Sequence, residues 1–144
     1  MMTMREILFR GKRKGNGEWV EGSYLHLNTG KDYICDGTFW INKEVLNKYK
    51  VDPETVGQYT GLTDKNGKKI FEGDIVEYND GYYYFKGIVK YELGAFGIAC
   101  KYTIPLEFSQ CDNFISFWDM IWNSEDTTAQ NVEVEVIGNV YDDL

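Results

Sequence analysis

The chain has 144 residues, of which 43% are hydrophobic and 16% aromatic, with 15 Gly and only 2 Pro. That length is enough for one domain whose core needs no metal or disulfide staple, and the apolar share excludes a largely disordered chain. The net charge of −8 is unevenly placed: residues 1–72 carry 12 Lys and Arg against 10 Asp and Glu, and residues 73–144 carry 3 against 13. An acidic half repels nucleic acid, so nucleic acid is not expected as a partner.

No stretch approaches the roughly 20 apolar residues of a membrane helix, so no membrane association is expected. The start, MMTMREILFRGKRK, lacks the apolar run and small-residue cleavage site of a signal peptide. Cys35, Cys100 and Cys111 are odd in number and far apart. They suit free thiols in a reducing compartment, and no pair has metal-ligand spacing. A cytoplasmic location without a cofactor is the expectation.

In chain order, REILFR (5–10) reads as a first strand. Lys14-Gly15-Asn16-Gly17 supplies the positive-φ positions of a tight turn, and EWVEGSYLHL returns as its hairpin partner. On that return Leu25 and Leu27 face one way, Tyr24 and His26 the other. The basic residues Arg10, Lys12, Arg13 and Lys14 fall in this arm and read as a solvated edge. KDYIC and TFWIN are two further strands around Asp36-Gly37. Asn42 caps a predicted short helix over KEVLNKYK, with Ile41, Val45, Leu46 and Tyr49 on one face. Asp52-Pro53-Glu54 then has the cap and first-position residues of a single following turn.

The stretch QYTGLTDKNGKKIFEGDIVEY (58–78) reads as a hairpin about Asp64-Lys65-Asn66-Gly67, a bend at Glu72-Gly73-Asp74, and a departing strand. A phosphate-holding loop would run its glycines directly into a helix with a Lys-Ser/Thr or GxGxxG spacing, and neither occurs. Asp64, Asn66, Gly67, Gly73 and Asp74 are therefore structural turn positions. A meander follows: Asn79-Asp80-Gly81, YYYFKGIVKY, Glu92-Leu93-Gly94, AFGIACKY. Gly87 and Gly97 inside its strands allow bends. In DNFISFWDMIWN, the spacing of Phe114, Phe117, Trp118, Ile121 and Trp122 predicts a helix over 112–123 capped by Asp112. VEVEVIGNV (132–140) is a closing strand with Val132, Val134 and Val136 inward and Glu133 and Glu135 outward.

MREILFRGK, VDPETVGQYTGLTDKNGKKIFEGDIVEY, GIVKY followed by GAFGI, and VEVIGNVYD occur in that order. Together they resemble the YopX family, small proteins of bacteriophages and of prophages in Gram-positive bacteria. The resemblance covers most of the chain. It implies a β-rich domain with a small barrel core acting inside a bacterial host, and it brings no catalytic residue with it. Its most recognisable positions, Gln58, Tyr59, Thr60, Gly61, Asn66, Gly67, Gly73 and Asp74, are those already read as turn and bend chemistry.

The expected fold is thus a single α+β, mainly β domain over 1–144. It is an antiparallel small barrel or strongly bent sheet centred on 58–102, with an N-terminal hairpin, one or two short helices and a closing strand at 132–140. Its chemistry is sparse. His26 is the one histidine, without a nucleophile motif beside it, and reads as an ordinary edge histidine. Glu72 with Asp74, and Glu133 with Glu135, could in principle hold Mg²⁺ or act as acid and base, but at hairpin ends and on an outer strand face they read as charges that discourage edge pairing. The tyrosines and tryptophans exceed what one core can bury with every polar handle satisfied. Tyr82, Tyr83, Tyr84 and Phe85 place rings on both faces of one strand. With Trp118 and Trp122 they form the candidate interaction surface, to be covered by the helix, by a protein partner or by a second copy of the chain. A non-catalytic protein-interaction module is the first expectation. An acidic nucleic-acid mimic, or a regulator touching phosphate through the basic arm, is the alternative, and an enzyme comes last.

Overall fold

The computed structural model describes residues 6–27, 31–36, 49–79, 81, 84–103, 114–117 and 132–142. Its backbone gathers into two compact units, Met1–Tyr59 and Thr60–Leu144.

The first unit begins with β1 (Phe9–Lys12) and β2 (Trp19–His26), an antiparallel hairpin in which Phe9 faces Gly22 and Lys12 faces Trp19. The turn is the one expected, with Gly17 at φ 71°. β3 (Asp32–Cys35) pairs with the end of β2, setting His26 opposite Asp32 and Tyr24 opposite Ile34. All four β3 residues are buried, because both strand faces are covered. Ile34 packs with Val20 and Val51 on one face, and Tyr33 and Cys35 pack with Tyr49 on the other. Asp52 caps a single 3-10 turn, Pro53–Thr55: its carboxylate accepts the Glu54 N–H and proline occupies the first position, where no donor is needed. The basic arm departs from expectation at Arg10, which is 9% exposed rather than solvated. Alternation puts Arg10, Lys12 and Trp19 on one face, and both cations lie over the indole, while Arg13 lies over Tyr49. Most of the helix expected over 43–50, and the strand TFWIN, lie outside the described residues.

β4 (Gly57–Thr63) carries the chain from one unit to the next; its first residues pair β1, and β5 (Lys69–Phe71) is the following strand in the sheet order β3-β2-β1-β4-β5. The second sheet lies in the second unit. It contains β6 (Asp74–Asn79), β7 (Tyr84–Glu92), β8 (Ala95–Thr103), β9 (Phe114–Ser116) and β10 (Glu135–Asn139), in the order β10-β6-β7-β8-β9, all antiparallel. Ile70, Val76, Val89, Ile98, Phe117, Val132 and Val134 form its core. The register shifts at Lys86/Gly87, where β8 carries an extra residue opposite Gly87, and at Val136/Gly138, where β10 carries an extra residue beside Gly138.

The fold is therefore mainly β and antiparallel, as expected. Among the described residues neither sheet closes into a barrel; each ends in edge strands. The helix expected over 112–123 is corrected at its start: Phe114–Ser116 is a strand, with Ile115 opposite Ile98. The physical reason is Gly97. A Cβ there would lie 2.6 Å from the tip of the Phe114 ring, so the missing side chain lets the ring lie over the neighbouring strand. Phe117 has helical backbone and is buried; residues 118–123 lie outside the described part. The closing strand is shorter than 132–140. Val132 and Val134 are buried as expected, but they bond the 63–65 hairpin instead of a sheet neighbour, Val132 N–H to Thr63 and Lys65 N–H to Val134.

Candidate functional site

Two acids in the second unit have the burial that usually marks chemistry, and both accept backbone N–H groups. Asp64 is 1% exposed. Its Oδ1 accepts the N–H groups of Asn66 (2.8 Å) and Lys68 (2.9 Å), and its Oδ2 accepts that of Val136 (3.0 Å). Burial alone would raise its pKa, but these three donors and the Lys68 charge outweigh it and hold the carboxyl below the usual range. Asp74, also 1% exposed, accepts the Phe71 N–H at 2.8 Å across the Glu72-Gly73 bend. Gly73 is required there twice over, by φ 88° and by the Tyr141 ring 2.8 Å from where a Cβ would sit. Gly67 has φ 82°, and Asn66 is an exposed turn residue.

Of the aromatic surface, Tyr82, Tyr83, Trp118 and Trp122 lie outside the described residues. Tyr84 donates its hydroxyl to Glu77 at 3.1 Å, and this bond, with the Glu77 charge, raises the phenol's pKa. Phe85 stacks on Tyr78 at 5.1 Å and joins the core from its margin. These two rings are thus half-buried. At the tip of the same hairpin Tyr91 is 55% and Leu93 103% exposed, and Ile7, Leu25, Leu27 and Ile137 are the other exposed large apolar side chains among the described residues. Phe96 meets Tyr91 edge-on at 4.9 Å.

The first unit holds a cluster that the sequence reading passed over. Asp32 is 2% exposed, and its two oxygens are shared between Tyr24, whose hydroxyl donates to Oδ2 at 2.5 Å, and His26, whose Nδ1 lies 2.7 Å from Oδ1. Burial would push Asp32 up, yet the bonds from Tyr24 and His26 and the charges of His26 and Lys14 bring it below the usual range. Tyr24 is pushed up to about 12 by its own burial, then by the hydrogen bond and charge of Asp32. The His26 side chain is 62% exposed, and with Nδ1 engaged its Nε2 is the edge left for solvent. Such an imidazole is oriented as a base or a single metal ligand would be. Among the described residues no three His, Cys, Asp or Glu side chains gather to hold a metal. A signal was available in the sequence: Asp32 is a lone acid opening an apolar strand, and the hairpin register sets it opposite His26. Tyr24→Phe is expected to cost about 1–2 kcal/mol, one hydrogen bond to a buried charge, and to remove the tyrosine that ionises near pH 12 in a spectrophotometric titration. Because the Tyr24 pKa is raised, its contribution is complete below about pH 10 and lost as pH climbs toward about 12.

Cys35 is a buried free thiol, raised by burial and by the neighbouring Asp36 charge, which makes it a poor nucleophile. No helix among the described residues is long and apolar enough to cross a membrane. These features define a mainly β protein of antiparallel sheets whose deeply buried carboxylates hold turns and strand ends. The chain belongs to the YopX family: the family's model, described as YopX protein, matches residues 8–143. No curated protein matches the chain significantly.

Proposed function

We propose that the protein is a non-catalytic interaction module, acting in the bacteriophage or prophage setting that the family resemblance implies and docking a partner protein through exposed apolar side chains. The carrying observation is the β7–β8 hairpin, where Tyr91 and Leu93 stand 55% and 103% exposed. Large apolar side chains kept out of the core and grouped together mark interaction surfaces. The fate of the acids supports the same reading, since Asp64 spends both oxygens on backbone N–H groups and Asp74 accepts the Phe71 N–H through Oδ2.

Tagged protein is expected to retain one stoichiometric protein from a bacterial lysate, at low and high salt alike, with mass spectrometry as the readout. Recovery of untagged bait alone would sink the partner reading and leave self-assembly. A second reading, acidic mimicry of nucleic acid, rests on the 3 Lys and Arg against 13 Asp and Glu in residues 73–144. Retention of a DNA-binding protein only at low salt, reversed by duplex DNA, would favour it.

A further inference from the structure

We infer that Leu93 is the anchor of this docking surface, and that it seats in an apolar pocket of a partner protein whose rim carries Lys or Arg. The inference rests on the interaction-module reading and deepens it. Leu93-Gly94 is a two-residue hairpin loop closed by the Glu92–Ala95 pair, with φ 52° and 81° at its two positions. Both positions call for residues that tolerate left-handed backbone, and Asn-Gly or Asp-Gly is the usual solution. Leu93 is the one non-glycine residue with positive φ among those described. Its side chain is fully exposed, so no packing within the chain offsets that conformation. Neither the turn nor the core explains a leucine here, and strain of this kind gathers where a protein makes contact.

The surroundings fit a knob. Tyr91 lies directly opposite Phe96 across the hairpin, and their edge-on contact at 4.9 Å braces the base of the tip. A narrow apolar protrusion suits a pocket better than a flat face. Alternation puts Lys90 and Glu92 together on the other face, where their charges offset each other. The wider field then comes from the described residues beyond 72, where Asp74, Glu77, Glu92, Glu133, Glu135 and Asp142 outnumber Lys86, Lys90 and Lys101. That field attracts a basic rim and repels both an anionic lipid surface and the same half of a second copy.

The test uses the full chain with a photoreactive benzophenone amino acid placed at position 93, irradiated in bacterial lysate. One protein adduct is expected, mapped by mass spectrometry to an apolar pocket bordered by Lys or Arg. Excess unlabelled wild-type chain should compete with it, whereas the Leu93→Asn chain should compete at least about thirtyfold less well, as for a central anchor. Leu93→Asn should also melt about 2–5 °C higher, because asparagine relieves the turn. Each of the following would overturn the inference: attachment to a second copy, flotation with phosphatidylcholine–phosphatidylglycerol vesicles, equal competition by Leu93→Asn, a lower melting temperature for that variant, or no adduct. If affinity capture still retains a partner when the adduct fails, the tip alone is refuted. If both fail, the module reading falls with it.

Discussion

Asp64→Ala is expected to cost about 3–5 kcal/mol and to lower the thermal midpoint by about 10–15 °C, measured by chemical denaturation and calorimetry. The substitution strips acceptors from three N–H groups, those of Asn66, Lys68 and Val136. Two of them shape the hairpin turn. The third comes from 72 residues away and ties that hairpin to β10. Asp64→Asn separates the contributions. An amide keeps one oxygen and turns two donors toward a donor, so it can serve the turn or Val136 but not both, and about half the loss should remain. The pH dependence carries its own sign. The folded carboxyl titrates below its ordinary value of about 4, so its contribution is present above that pH and lost as pH falls through the lowered value. The wild-type chain should therefore lose stability in acid more steeply than Asp64→Asn, which has no carboxyl to protonate. Parallel acid profiles for the two would refute the assignment.

Gly22→Ala should be nearly as damaging, at about 3 kcal/mol or more, by a different mechanism. A Cβ on Gly22 would lie 2.0 Å from the Cys35 carbonyl oxygen and 2.7 Å from its carbon, both backbone atoms of the neighbouring strand. No rotamer change relieves that contact; β2 and β3 must separate. Gly11→Ala is the control in the same sheet. Its nearest neighbour is the Ile34 Cδ1 methyl at 3.0 Å, which can shift, so about 1 kcal/mol is expected. Amide exchange should show protection lost across β2 and β3 in Gly22→Ala only. The Tyr24 titration should fall back toward an ordinary phenol, because the β2–β3 register that brings it to Asp32 is gone. A Gly22→Ala chain with native exchange rates would show that the strands can part cheaply.

The two substitutions differ in how legible their sites were. The turn at Asp64-Lys65-Asn66-Gly67 was open to reading from the sequence because its causes are local: short polar side chains bonding their own backbone, and a glycine for φ 82°. The tie from Asp64 to Val136 was not, since nothing within the turn names a donor from the end of the chain. Gly22 reads as a neutral strand glycine until β3 lies against it. The expectation at the start of 112–123 failed for a related reason. The aromatic spacing there matches a helix, but Phe114–Ser116 pairs with β8, where Gly97 leaves room for the Phe114 ring. Local periodicity lost to a partner 17 residues earlier. His26 and Tyr24 were placed on one strand face correctly, yet the acid that makes them a cluster belongs to the next strand.

Turn positions, strand alternation, the uneven charge and membership of the YopX family were all legible in the residue order, because each depends on neighbours within a few positions or on composition. Which strand lies beside which, which buried carboxylate receives which N–H, and which aromatics stay outside were decided by assembly. Those outcomes follow from register and collective burial, where one pairing choice moves every side chain of a strand to its face. Leu93 stands on both sides of that line. Its turn was visible in Glu92-Leu93-Gly94, but only the folded hairpin shows a leucine held at φ 52° with nothing of its own chain against it.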